Sequence, residues 1–217
     1  QRFPAPARLG RRRCHRVTRR VGVFGGSFDP PHLAHRALAR IARDTLALDE
    51  VRWLPAGVPW QKAGRELAGA ADREAMVALL IAGEAGFMLD PRELRRSGPS
   101  YTVDTLRALA TEQPGSELVL VIGADQFSSL ATWHEAADLP RLATLAVAAR
   151  EGQSVRPPAR WPGPAPAWRE LPLPRHDISA TEVRRRVAAG EAVSPLVGDA
   201  VARYIDQRHL YRAAPGH

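Results

Sequence analysis

The chain reads as an α/β domain, a three-layer Rossmann-like sandwich with helices on both faces of a mainly parallel sheet. Three observations predict it. Short apolar runs suited to strands recur at residues 21–24, 51–55, 87–89, 118–122 and 142–149, separated by stretches with apolar residues at helical spacing. Two of these runs end in glycine directly before a helix start, at Gly25-Gly26 and at Gly123. The run 118–122 is continuously apolar, the composition of a strand buried on both faces.

In chain order, the strand 21–24 passes through Gly25-Gly26 into a helix marked by Leu33, Ala37, Leu38 and Ile41. The strand 51–55 runs into a loop, 56–62, signalled by Gly57 and Pro59. Asp72 is a candidate N-cap for a helix with Met76, Leu79 and Leu80 on its apolar face, and residues 87–89 form a third strand. Ser100 is a candidate cap for the next helix, whose core face is Val103, Leu106 and Leu109 or Ala110. The strand 118–122 leads through Gly123 to a helix start at 124–127, and the strand 142–149 closes on Arg150. Pro157-Pro158 and Pro162, Pro164 and Pro166 exclude helix from residues 151–174, leaving a long loop and a short strand near 168–171. Ser179 with Glu182 is a capping box, and a last helix through Val201, Tyr204 and Ile205 ends near His209.

With 217 residues, 45% of them hydrophobic, one sizeable domain suffices. The division expected is a disordered arginine-rich tail, 1–19, and a single domain, 20–217. A net charge of +8 would ordinarily point to an acidic partner such as nucleic acid. Eight arginines fall within the first 20 residues, however; without them 23 basic residues face 23 acidic ones, so the body is formally neutral. No nucleic-acid partner is therefore expected. The N-terminal stretch lacks the apolar core of a secretory leader, and no run approaches the ~20 apolar residues of a membrane span, so a cytoplasmic protein without membrane contact is expected. Cys14, the only cysteine, lies in the tail, so the body has neither a disulfide nor a cysteine metal site.

The stretch Gly25-Gly26-Ser27-Phe28-Asp29-Pro30-Pro31-His32-Leu33-Ala34-His35 carries the chemistry. Glycines after a strand allow close backbone approach, and a helix N-terminus presents unpaired N–H groups with partial positive charge; together they favour a phosphate. His32 and His35, three apart on the first turn, share a face and can hydrogen-bond phosphate oxygens. At the second glycine turn Asp125 suits ribose hydroxyls, because a carboxylate accepts hydrogen bonds and repels anions. Ser179 and Thr181 at a helix start with Arg184 about one turn on make a second anion site.

Residues 25–35 are neither a dinucleotide fingerprint nor a P-loop. They resemble the signature of the nucleotidylyltransferase superfamily with an H-x-x-H or H-x-G-H histidine pair, in the form found in bacterial nicotinate mononucleotide adenylyltransferases. Further blocks follow in the family's order: Ser100-Tyr101-Thr102 with Thr105 resembles S-Y-T-x-x-T, Gly123 to Asp125 with Trp133 resembles G-x-D and a following tryptophan, and residues 178–184 resemble I-S-x-T-x-[IV]-R. Arg73 and Met76 also match. Pro59-Trp60-Gln61-Lys62 departs from the family's Pro-Pro-His-Lys, keeping Lys62, the chain's only lysine, while Gln61 replaces the histidine.

The resemblance implies transfer of the adenylyl group of ATP to nicotinate mononucleotide. It implies His32, His35 and Arg184 as catalytic residues, and Gly25, Gly26, Ser27, Phe28, Asp125, Ser179 and Thr181 as ATP contacts. Lys62, Thr102, Trp133 and Arg150 are the implied contacts of the second substrate. Mg²⁺ is expected to bridge the ATP phosphates with few protein ligands, with no dedicated protein metal site. Assembly into a homo-oligomer is left open. Three alternatives stand: a sister adenylyltransferase acting on nicotinamide mononucleotide or phosphopantetheine, a nucleotide-binding protein without catalysis, and a nucleic-acid-binding module that would depend on the tail, 1–19.

Overall fold

Six strands form one sheet in the order β3-β2-β1-β4-β5-β6, every neighbouring pair parallel. The strands are β1 (Arg20–Gly26), β2 (Glu50–Pro55), β3 (Phe87–Leu89), β4 (Glu117–Gly123), β5 (Thr144–Arg150) and β6 (Trp168–Leu173). The helices are α1 (Leu33–Thr45), α2 (Ala70–Ile81), α3 (Thr102–Glu112), α4 (Ala124–Ser128), α5 (Leu139–Leu142), α6 (Ala180–Ala188), α7 (Ser194–Val197) and α8 (Asp199–Gln207). This computed structural model describes residues 18–57, 67–150, 155–174 and 177–212, without the side chain of Arg150.

The period of two along the strands sorts side chains into two cores. On β4, Leu118, Leu120 and Ile122 face a core shared with Val103, Leu106 and Leu109 of α3 and with Phe127 and Leu139. Val119 and Val121 face the other core, with Leu38 and Ala42 of α1, Met76 and Leu80 of α2, Val183 of α6 and Val201 of α8. Being covered twice is what the continuous apolar run required, and Val119 and Val121 are both fully buried. The strand order turns back between β1 and β4, so their carboxyl ends flank the crevice where open α/β sheets bind ligands.

Tertiary contacts overrode several local expectations. Gly69, not Asp72, is the N-cap of α2; the Asp72 carboxylate instead accepts from the Tyr204 hydroxyl and the Arg208 guanidinium, both at 2.9 Å. Leu79 is 36% exposed, and the buried face of α2 is Arg73, Met76, Val77, Leu80 and Ile81. Tyr101 occupies the N-cap position of α3, while the Ser100 hydroxyl donates to the Glu93 carbonyl at 3.3 Å. Leu142 ends the short helix α5, and β5 begins at Thr144. Arg19, assigned by composition to the tail, pairs with buried Glu50, and its carbonyl accepts from the Glu117 N–H at 2.8 Å. Residues 1–17 of the tail lie outside the described residues. Among the described residues no helix is long and apolar enough to cross a membrane.

Candidate active site

β1 ends at Gly26, and the chain then makes a tight loop to His32, the N-cap of α1. Phe28 sits in the left-handed region at φ 45°, and its ring folds back over Gly26. A Cβ on Gly26 would lie 3.2 Å from that ring, so the missing side chain is what lets the ring settle there. Phe28 is expected among the ATP contacts, yet it is only 2% exposed and packs with Phe24 and Trp53 at 5.5 and 5.3 Å. Its ring meets the His35 ring edge-on at 5.2 Å, so it packs behind the histidine as well as lining the cleft.

The His32 and His35 rings stack with centroids 3.6 Å apart and planes inclined by 25°. The His32 N–H donates to His35 Nδ1 at 3.2 Å. Nδ1 is thereby an acceptor, so the neutral His35 ring carries its proton on Nε2.

Three side chains hold this loop from other parts of the chain. Arg73 is 3% exposed and donates to four backbone carbonyls: Ser27 at 3.0 Å, Ala56 at 2.6 Å, Gly57 at 3.2 Å and Ala68 at 3.1 Å. Burial draws its pKa below the usual guanidinium value, with Asp29 acting in the opposite sense. Asp29, 2% exposed, accepts on Oδ1 from the Ala68 N–H at 3.1 Å and the Tyr211 hydroxyl at 2.8 Å. Arg184 donates to the Asp29 carbonyl, lies 3.7 Å from its Oδ2, and donates to Thr181 Oγ1 at 3.0 Å.

A cleft of about 410 Å³ opens above the ends of β1 and β4. Gly25, Gly26, Ser27, Phe28, His32, His35, Thr102, Trp133 and Ser179 all line it, so four separated sequence blocks meet in one cavity. Asp125 lines an adjoining hollow of about 150 Å³ that shares His32 and His35. Thr181 and Arg184 do not line the cleft; Arg184 touches Asp29, which does, and Thr181 accepts from Arg184. Ser179 caps α6 as expected, accepting from the Glu182 N–H at 3.2 Å. Glu182 does not complete the box, because its carboxylate pairs with Arg185 and Arg186, which hold its pKa down at about 2. Lys62 and Gln61 lie outside the described residues, and of Arg150 only the backbone, closing β5 against β6, is described.

The cytidylyltransferase-like family matches residues 23–186, from the strand under the histidine turn to the end of the Arg184 segment. The chain belongs to this family. Among cytidylyltransferase-like proteins it is 48% identical over 202 residues to one named "Probable nicotinate-nucleotide adenylyltransferase" in Methylibium petroleiphilum, covering 91% of this chain and 95% of that one. A like-named protein of Chromobacterium violaceum is 45% identical over 211 residues, covering 89% and 99%. The Plasmodium falciparum nicotinic acid mononucleotide adenylyltransferase complexed with APC superposes with a TM-score of 0.70 at 17% identity, covering 89% of this chain and 97% of that one, and so supports the fold.

Sequence reasoning missed the loop's anchors. Arg73 was visible only as a family match, Asp29 only as part of the motif string, and Tyr211 not at all. Glu93 was missed too: it is 7% exposed, lines the cleft and accepts from Thr105 Oγ1 at 2.7 Å. Burial pushes its carboxyl above the ordinary carboxylate range, against the opposing pull of the Thr105 hydrogen bond.

Proposed function

We propose that this protein transfers the adenylyl group of ATP to nicotinate mononucleotide, giving nicotinate adenine dinucleotide and pyrophosphate. The observation that carries the reading is the single cleft in which the histidine turn, Ser179, Thr102 and Trp133 all meet. A phosphate oxygen of the mononucleotide attacks the α-phosphorus of ATP. The new P–O bond forms as the bond from the α-phosphorus to the bridging oxygen breaks, and pyrophosphate departs with that electron pair. The nucleophile is already an anion, so no serine, cysteine or general base is required. The protein contributes alignment and stabilisation of charge on the phosphates.

His35, with its proton on Nε2, and His32 beside it are assigned to the phosphates, together with the N–H groups at the start of α1. Gly25, Gly26 and Ser27 let the nucleotide approach the backbone, Asp125 takes the ribose hydroxyls, and Ser179 at the start of α6 completes the phosphate contacts, with Thr181 behind it accepting from Arg184. Arg184 supports the phosphate site from its seat on Asp29. Trp133 stacks on the pyridine ring, contributing about 1 kcal/mol beyond its burial, and Thr102 lies beside that ring. Lys62 and Arg150 are assigned to the mononucleotide.

Among the described residues no three His, Cys, Asp or Glu side chains gather as a metal site. Asp29 Oδ1 already accepts two hydrogen bonds. Mg²⁺ carried mainly by the ATP phosphates would neutralise charge on the leaving pyrophosphate.

Pyrophosphate release from ATP tests the reading, with nicotinate mononucleotide, nicotinamide mononucleotide and phosphopantetheine assayed in parallel. The nicotinate compound should give the highest kcat/KM. A higher value with either of the others would overturn the substrate assignment, and no release with any of them would overturn the reaction.

A further inference from the structure

Two tyrosine–aspartate hydrogen bonds leave the C-terminal segment for different destinations. Tyr204, on α8, donates to Asp72 on α2 at 2.9 Å, joining one helix to another. Tyr211, beyond the end of α8, donates to Asp29 at 2.8 Å, joining the chain's last described turn to the loop that precedes His32. The route to Asp29 is an unusual one for the backbone. His209 and Tyr211 both adopt left-handed conformations, at φ 53° and 62°, which L residues other than glycine seldom occupy. The Leu210 N–H returns to the Ile205 carbonyl at 3.0 Å, anchoring that turn to α8. Such conformations persist where surrounding contacts hold them, and the contact made here is with a buried carboxylate three residues from a candidate catalytic histidine.

We propose that Tyr211 is a positioning residue for adenylyl transfer: its hydroxyl fixes Asp29 and, through Asp29, the loop that sets the His32–His35 pair. This rests on the function proposed above. Asp29 links three anchors, since Oδ1 accepts from Tyr211 and Ala68 and its carbonyl accepts from Arg184. Loss of the Tyr211 donor leaves a carboxylate that is 2% exposed short of a hydrogen bond. The loop then has reason to move toward water, carrying the histidines off line. Burial, with Asp29 second, raises the pKa of Tyr211, so the hydroxyl keeps its proton and donates.

The test compares Tyr211→Phe with Tyr204→Phe, each deleting one hydroxyl from the same segment. Tyr211→Phe should lower kcat roughly 10-fold or more, because small misplacements of reacting groups are costly. Its KM for nicotinate mononucleotide should stay within about 2-fold of wild type, since the Thr102 and Trp133 contacts are untouched. Amide hydrogen exchange at Ser27, Phe28, Asp29 and His32 should quicken. Tyr204→Phe should lower Tm without changing kcat or that exchange. Unchanged exchange at the four amides in Tyr211→Phe, or a kcat equal to wild type, would overturn the proposal. So would the same kcat loss in both variants. If the wild type turned over no nicotinate mononucleotide, the functional reading would fall, while the four amides would still decide whether Tyr211 holds the loop.

Discussion

The turn after β1 and the turn after β4 leave adjacent parallel strands at the same edge of the sheet, yet the first is clamped by buried polar side chains from distant parts of the chain, whereas the second is held by Phe127 packing against Trp168 at 5.0 Å. Around the first, Arg73 holds four carbonyls, Asp29 is buried under Tyr211 and Arg184, and the Phe28 ring fills the space beside Gly26. At the second, nothing lies within 4 Å of where a Gly123 side chain would be, and α4 is five residues long. Asp125 there is exposed, its carbonyl accepting from the nearby Ser128 and Ser129 hydroxyls. The difference matches the tasks assigned to them. Reacting phosphates tolerate little displacement, since about 1 Å can cost ~100-fold in rate. A ribose hydroxyl met by an exposed carboxylate tolerates more.

The largest expected effect lies in the clamped turn. His35→Ala should reduce kcat roughly 100-fold or more with little change in Tm, as for loss of a transition-state donor; steady-state kinetics and a thermal melt check both. Arg73→Met comes next. It strands buried carbonyls at about 1–3 kcal/mol each, part of which water recovers, for a net loss near 3 kcal/mol. For a chain of this size Tm should fall by roughly 6–12 °C, read by calorimetry.

The two glycines sharpen the comparison directly. Gly26→Ala places a methyl 3.2 Å from the Phe28 ring, so that ring and the His35 ring against it must shift, and kcat should fall measurably. Gly123→Ala adds a methyl at an ordinary backbone φ of −79° where no protein atom lies within 4 Å, so it should leave Tm near wild type, while the methyl enters the nucleotide cleft and should raise the KM for ATP with little change in kcat. Equal effects at the two positions would erase the distinction between the turns.

The smallest effect concerns Glu93, whose pKa is raised on folding from a reference of 4.5. A group with a raised folded pKa contributes favourably below its unfolded pKa and loses that contribution as pH rises above it. Glu93→Gln retains an oxygen for Thr105 without that charge. Its Tm relative to wild type should therefore climb between pH 5 and pH 8, by a few degrees at most, since ~1 kcal/mol corresponds to about 2–4 °C.

What was legible in the sequence is what short windows determine. β4 showed as five consecutive apolar residues, and the histidine pair's common face followed from a spacing of three on a helix start. Ser179 capped its helix because both partners lie within one turn. Asp72 and Ser100 looked equally suited to capping and were drawn off, to Tyr204 and Arg208 and to the Glu93 carbonyl. Propensity reports which bonds a residue can make locally, not whether a tertiary partner competes. The helices α5 and α7 are four residues each, too short for a 3.6-residue period to register. The anchors of the histidine loop were least visible, because Arg73 reaches Ser27 across 46 positions and Tyr211 reaches Asp29 across 182.

The most direct test of a phosphate-gripping first turn and a sugar-reading second is a crystal structure with a non-hydrolysable ATP analogue. Its phosphates should lie within hydrogen-bonding distance of His32, His35 and the first N–H groups of α1, with the ribose hydroxyls at Asp125. Phosphates seated over Gly123 and α4, out of reach of the histidine pair, would contradict the assignment of chemistry to the clamped turn.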